Sequence, residues 1–378
     1  MKTQVLQSGL EYLQLVGLWG ERPRPVYRYF ALLSFEVAFL FIPKILFGLG
    51  EEGFDSFACN LAELIFIGEV AVSFALFNCR SRSFEKLVAN LRTVVERLDA
   101  EPSVNGTRKS IGKIERFCSM YTTYVWIVMM IYGGIPPISS LVIYFSKSEG
   151  ERDEFMVYFS LYWMDIRHNI LHYGIYFVVV FLACTCSAYQ SILKVTAVSA
   201  IVQYGAVMFE FTTQKIKRLA ELAEQDERRK ELREIIEIHK LALEYAAHLE
   251  RTVSFFLLNQ MSCCVLMMCL MMYYVTTSFG TRAVNIILMI IIMMGEMGLH
   301  CFYGSKLSEK AAEVGNVMYA HAWYLEAVDV QKDMQLIIAR SQRPTAITAG
   351  KFYFVNIERF AIVNQASYSY YLILKNTF

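Results

Sequence analysis

Proline and charge are both scarce in this chain. Of 378 residues only 7 are proline and 19% are Asp, Glu, Lys or Arg. Soluble domains carry about a quarter charged residues, so an ordinary soluble fold is a poor description. The net charge of +1 gives no ground for a nucleic-acid partner, and none is expected. Histidine is rare too. His168, His172, His239, His248, His300 and His321 show no clustered ligand spacing, and HExxH, GxSxG and phosphate-loop motifs are absent. An enzyme is therefore not expected. The nine cysteines all lie in or beside apolar runs, and Cys184 and Cys186 form a CxC pair with no second pair or His at zinc spacing. They read as buried free thiols, and neither a metal nor a cofactor is expected. The N-terminal stretch lacks a continuous apolar core with a small-residue cleavage site, so it does not read as a signal peptide. Its apolar residues Val5, Leu6, Leu10, Leu13 and Val16 suit a short amphipathic helix at a membrane surface.

What the chain has in abundance is apolar surface. Hydrophobic residues make up 56% of it, with 27 Phe and 23 Tyr and a mean hydropathy of +0.37. This composition predicts an all-α polytopic membrane protein. Seven stretches are long enough to span a bilayer as helices, which takes about 20 residues. They fall at 27–49, 57–79, 119–145, 169–194, 253–279, 283–305 and 352–375. The third holds GGIPP at 133–137, which predicts a kink or loosening.

Lys and Arg in the connections divide 28 to 5 between alternate sides. Positive residues stay cytoplasmic, so the N-terminus is expected inside and the C-terminus outside. That is the inverse of a G-protein-coupled receptor. The predicted organisation is one seven-helix membrane domain over 1–378. It has a cytoplasmic segment at 1–26, a helical cytoplasmic loop at 205–252, another loop at 306–351 and a last helix within 352–378. Helical spacing of Ile216, Leu219 and Leu222, then Leu232, Ile235, Ile236 and Leu243, predicts that spans four and five run on into the cytosol. QDERRK at 225–230 reads as a charged turn between them. The acceptor motif NGT at 105–107 falls in a cytoplasmic loop and is expected to stay unmodified. No internal repeat of the kind found in transporters is evident.

Several charges fall inside the spans. Glu36 and Lys44 could snorkel to opposite sides. Glu63 and Glu69 lie on span two, Glu296 and His300 on span six, and Glu358 with Arg359 opens span seven. Such groups normally pair or face water. Structural ion pairs are the expected reading, with Arg359 and Glu296 joining helices. The Met runs (Met261, Met267, Met268, Met271, Met272, Met293, Met294, Met297) read as packing or lipid-facing filler.

Specific stretches add a resemblance. LVGLW at 15–19, LYWMD at 161–165, SEKAAEVGNVMYAHAWY at 308–324, IIARSQRPTAITAGKFYFVNIERF at 337–360 and the terminal ASYSYYLIL together resemble the insect odorant receptor family. The order RSQRP, TAG, SYSYY is the most specific part. The chain lacks the second-cytoplasmic-loop insertion of the family's co-receptor, so it resembles a ligand-tuning subunit. The resemblance implies an odorant-gated cation channel in the plasma membrane of olfactory neuron dendrites. It implies a heterotetramer with the co-receptor and a central pore lined by the last helix. Each subunit would hold one pocket in the outer half. The rivals are a gustatory receptor of the same superfamily, then a transporter or a metabotropic receptor. LYWMD and the SQRP–TAG spacing favour the odorant branch.

At 100° per residue, Gln365, Ser369, Leu372 and Asn376 share a stripe about 60° wide, flanked by Ile373. A polar face in lipid must meet protein or water. By the resemblance, Ile373 stands at the apolar gate and Asn376 at the hydrated mouth one turn outward. An apolar ring can close a pore by dewetting. Depth matching to the family places a pocket at Gly68, Val72, Ser73, Tyr132, Ile135, Ser139, Ser140, Leu171, Tyr173, Gly174, Phe177, Tyr273, Tyr274 and Thr277. Such a site would be closed, aromatic-walled and poor in polar groups, suited to a small volatile, with phenols and indoles as the suggested aromatic class.

Overall fold

The computed structural model describes residues 13–14, 25–49, 53–100, 105–146, 155, 161–162, 164, 166–278 and 280–377. The predicted surface helix around Val5–Gly17 and the LVGLW motif lie outside these residues, Leu13 excepted. Leu13 is buried against Phe74 and Leu193.

The described chain is a helical bundle. α1 (Tyr27–Gly48) widens into two π-helical turns, Val37–Phe41 and Lys44–Gly48. Then follow α2 (Phe54–Cys79), α3 (Ser81–Ala100), α4 (Asn105–Ser146), α5 (Ile170–Leu219), α6 (Gln225–Thr277), α7 (Thr281–Ala320), α8 (Val328–Ser341) and α9 (Ile357–Thr377). A two-residue hairpin, β1 (Thr348–Ala349) with β2 (Tyr353–Phe354), sits just before α9. Among the described residues, six helices are long and apolar enough to cross a membrane: α1, α2, α4, α5, α6 and α7. The seventh, α9, has the length at 21 residues but carries Gln365, Ser369 and Asn376 along it.

α5 is the axis of the bundle. From Gln190 to Phe209 every residue is buried, including the polar Gln190, Ser191, Lys194 and Gln203, because neighbouring helices enclose this stretch on all sides. It packs most extensively on α7, then on α4 and α6, while α2 packs on α6. Its start is set by Asn169, whose side chain accepts from the Leu171 and His172 amides at 2.9 and 3.4 Å.

Spans four and five do continue past the apolar core as single helices. The turn between them is Ala220–Glu224, not QDERRK. The charge run opens α6 instead. Asp226 and Glu227 stand in its first turn, and Lys217 with Arg218 in the last turn of α5. Each sign thus complements the helix dipole at its end. Lys215 then bridges the turn, with its ammonium 3.1 Å from Glu231 and 3.0 Å from Glu234.

Within the connection 80–118, residues 81–100 form α3 and 105–118 the start of α4, which spacing alone had not revealed. Thr107 of the NGT motif is buried and donates to Gln214 at 2.9 Å. α4 runs unbroken through GGIPP. There Gly133 allows a close approach, since a Cβ would lie 2.8 Å from the Phe181 ring. All nine cysteines are free thiols, and Cys79 is exposed rather than buried.

Candidate functional site

Between α1, α2, α4, α5 and α7, at the end of the bundle remote from the Ala220–Glu224 turn, lies a cavity of about 120 Å3. Leu40 and Lys44 reach it from α1, and Glu63, Phe66 and Ile67 from α2. α4 supplies Val125, Val128, Met129 and Tyr132, α5 supplies Cys184, Ser187, Ala188 and Ser191, and α7 supplies Met289, Ile292 and Met293. The walls are mainly aliphatic and methionine, and Phe66 and Tyr132 are the two aromatic residues in them. This differs from the aromatic-walled site that the sequence suggested.

One side of the cavity abuts buried charge. Lys44 pairs with Glu63. Behind Ser191 lies a larger network. The Lys194 ammonium on α5 stands 2.7 Å from Glu69 on α2 and 3.4 Å from Glu296 on α7. Glu296 also accepts from Ser191 at 2.6 Å, from Tyr121 at 2.9 Å and from the Gln260 amide at 3.1 Å. Ser73 donates to Glu69 at 2.7 Å. Glu36 accepts from Gln190 at 2.7 Å and Ser187 at 3.0 Å. Buried charge is tolerated only when paired and hydrogen-bonded, a condition met by the Lys44–Glu63 pair and the Lys194 network, while Glu36 is met by the neutral donors Gln190 and Ser187. Two sequence expectations are corrected here. Glu36 and Lys44 do not snorkel outward but are buried. Glu296 pairs with Lys194 and not with Arg359, whose guanidinium lies 4.6 Å over the Tyr353 ring. Lys194 was missed because its partners come from other helices.

Of the fourteen depth-matched residues, Tyr132 lines the cavity. Gly68 follows the lining residue Ile67 directly. Val72, Leu171, Gly174 and Thr277 are exposed on the bundle surface, whereas Ser73 bonds Glu69. Ile135 and Ser139 are half-buried, Ser140 is buried, and Phe177 is half-buried against Phe181 at 5.7 Å. Tyr173 stacks on Phe155 at 4.4 Å, which itself stacks on Tyr144 at 4.6 Å. This stack belongs to an apolar cluster that shares Leu40, Ile67 and Cys184 with the cavity wall. Tyr273 meets Phe54 at 5.2 Å, and Tyr274 lies beneath the Arg282 guanidinium. From LYWMD, Leu161 and Met164 join the same cluster, while Trp163 and Asp165 lie outside the described residues. Among the methionines first read as filler, Met293 is a wall residue.

α9 rests on the bundle through Val363, Ser367 and Tyr371, its three buried residues. Gln365, Ser369, Leu372, Ile373 and Asn376 are all exposed in the single chain, Ile373 at 59%. Tyr368 and Tyr370 are exposed as well. The residues of the expected stripe thus lie on the exposed part of α9, together with Ile362, Tyr368 and Tyr370.

The family model described as 7tm Odorant receptor matches residues 60–368. Odorant receptor Or2 of Anopheles gambiae is 26% identical over 149 residues, which is 39% of this chain and 39% of that protein. Odorant receptor 67c of Drosophila melanogaster is 26% identical over 225 residues, 59% of this chain and 52% of that protein. The odorant receptor coreceptor of Harpegnathos saltator is 28% identical over 92 residues, 24% of this chain and 19% of that protein. The matches thus span at most about half the length of these relatives. In fold, the chain is similar to the olfactory receptor OR5 of Machilis hrabei solved with eugenol. The TM-score is 0.78 at 14% identity, covering 99% of this chain and 98% of that one. A family match over most of the chain and a fold shared along almost its whole length lead to one conclusion: this multi-pass membrane protein belongs to the insect odorant receptor family.

Proposed function

We propose that the chain is the odorant-tuning subunit of a heteromeric, odorant-gated cation channel in the plasma membrane of olfactory neuron dendrites. The observation that carries the reading is α9. It exposes a face of Gln365, Ser369, Ile373 and Asn376 while seating on its own bundle through three residues. A polar face of this kind suits a water-filled axis shared by several subunits. Ile373 would close the axis by dewetting and Asn376 would line its mouth. The coreceptor is the natural second subunit, since coreceptors are among the relatives. The inverted topology read from loop charge belongs to the same proposal.

The cavity is the odorant site in this reading. It is mainly apolar, bounded by five helices and small, as suits a volatile ligand. The eugenol in the Machilis hrabei receptor supports placing a small aromatic volatile inside this fold.

Voltage clamp of cells expressing the chain with and without an insect coreceptor, against a broad volatile panel, tests the proposal. Fast odorant-evoked cation current is expected only with both subunits and should survive G-protein block. A surface-expressed complex that stays silent to every volatile sinks it.

A further inference from the structure

We infer that the cavity selects molecules carrying an O–H or N–H donor, which they set against the α5 wall at Ser187 and Ser191. The inference rests on reading the cavity as the ligand site. Both serines line it, one helical turn apart. Each hydroxyl has a single proton to donate and lone pairs to accept with.

Both protons are spent on the far side of the wall. Ser191 donates to Glu296 at 2.6 Å. Glu296 is held there by the Tyr121 hydroxyl, the Gln260 amide and the Lys194 ammonium. A carboxylate so surrounded accepts, so the proton of Ser191 points inward. The Ser187 hydroxyl has Glu36 at 3.0 Å and the Ala183 carbonyl at 3.3 Å. What the two oxygens have left for the cavity is lone pairs. The helical amides around them are taken by the helix itself. Glu63 adds a further acceptor nearby, with Lys44 clamped to it. The α5 wall is thus an acceptor surface, in a chamber whose other walls are apolar apart from Lys44, Glu63 and Tyr132.

An alcohol, phenol or indole satisfies that surface. An aldehyde, ester or ether of the same size sets its own lone pairs against those of the serines and finds no donor on the α5 wall. Sites with fixed hydrogen-bond demands reject the unpaired analogue far more strongly than sites built on shape alone.

The test uses the full chain co-expressed with a coreceptor and pairs of probes matched in size. These are p-cresol against p-fluorotoluene, indole against benzofuran, and hexanol against hexanal. Each donor is expected to act at about ten-fold lower half-maximal concentration than its partner. Ser191→Ala should shrink that ratio below about three-fold, mainly by weakening the donor, while Ser191→Thr restores it. If Ser191→Ala loses response to both members while Ser191→Thr still responds, the ratio is read in Ser187→Ala, which must by itself narrow it. Equal potency within every pair, ratios that neither serine variant changes, or silence to all three donors overturns the inference. Met293→Trp, which fills the cavity, separates the two readings. Intact responses to a broad volatile panel in that variant overturn the cavity reading and the inference with it. Lost responses in Met293→Trp, alongside equal potency within the pairs in the parent protein, leave the cavity standing and remove the donor preference alone.

Discussion

Lys194 is one cation in the middle of a fifty-residue, mostly apolar helix, and it holds two carboxylates from two other helices. Removing it leaves Glu69 and Glu296 facing one another in a dry interior. Breaking a buried pair this way costs about 3–5 kcal/mol. Lys194→Met should therefore lower the melting temperature of the solubilised complex strongly, and Glu69→Gln added to it should regain part of the loss. Equal melting of parent and Lys194→Met would show that the network is not a structural keystone. His239 makes a second case, ahead of the apolar span of α6. Burial first, and the Arg340 charge second, lower its pKa from 6.5 to about 4. The unfolded chain binds that proton first, so stability is full above about pH 6.5 and drains away as pH falls toward 4. Limited proteolysis at pH 7.4 and 5 should show this loss, and His239→Leu should flatten it. The sequence exposes Glu69 and Glu296 as anomalies, charges within apolar runs. It does not name their partners, because those sit 100 or more residues away and depend on how helices rotate about their axes. Glu296 illustrates the limit: Arg359 is the nearer basic residue in sequence but Lys194 is the one in space.

Helices were largely legible, and their junctions were not. Hydropathy over about 20 residues locates a span wherever lipid demands it, and all seven spans fall on helices. The turn at Ala220–Glu224 was misplaced by one charge run, since charges open helices as readily as they fill turns. The cavity was legible only as a depth. Tyr132 was found, but a helix turned by one residue moves a side chain by 100°, and the α5 wall at Ser187, Ala188 and Ser191 lies more than two turns beyond the residues chosen on that helix. On α9 the polar residues recur on one face, and that face is exposed in the single chain. The seating of α9 depends on Gly304 of α7, where a Cβ would collide with the carbonyl oxygen of Val355, just before the helix begins. Gly304→Ala should destabilise the protein by about 1–3 kcal/mol through overpacking. Gly295→Ala on the same helix is the control, since a Cβ there meets nothing within 4 Å. Comparable melting of the two variants would refute this role for Gly304.

At the scale of the whole molecule, loop charge gives an orientation that fold alone leaves open. An epitope tag after Phe378 should stain intact cells, and one before Met1 should stain only permeabilised cells. The reverse pattern would invert the proposed topology. Orientation also gives meaning to the length of α5. Its 50 residues measure about 75 Å, against a hydrocarbon core of about 30 Å. Lys194 stands close to its midpoint, clamped from two sides, with Ser187 and Ser191 just to one side of it. The helix is then a balance beam with a fulcrum at that clamp and two arms of about 36 Å each. A tilt that opens the cavity would swing the Leu219 end by a similar distance in the opposite direction. Spin labels placed near Asn169 and near Leu219 should report displacements of opposite sign when a volatile binds.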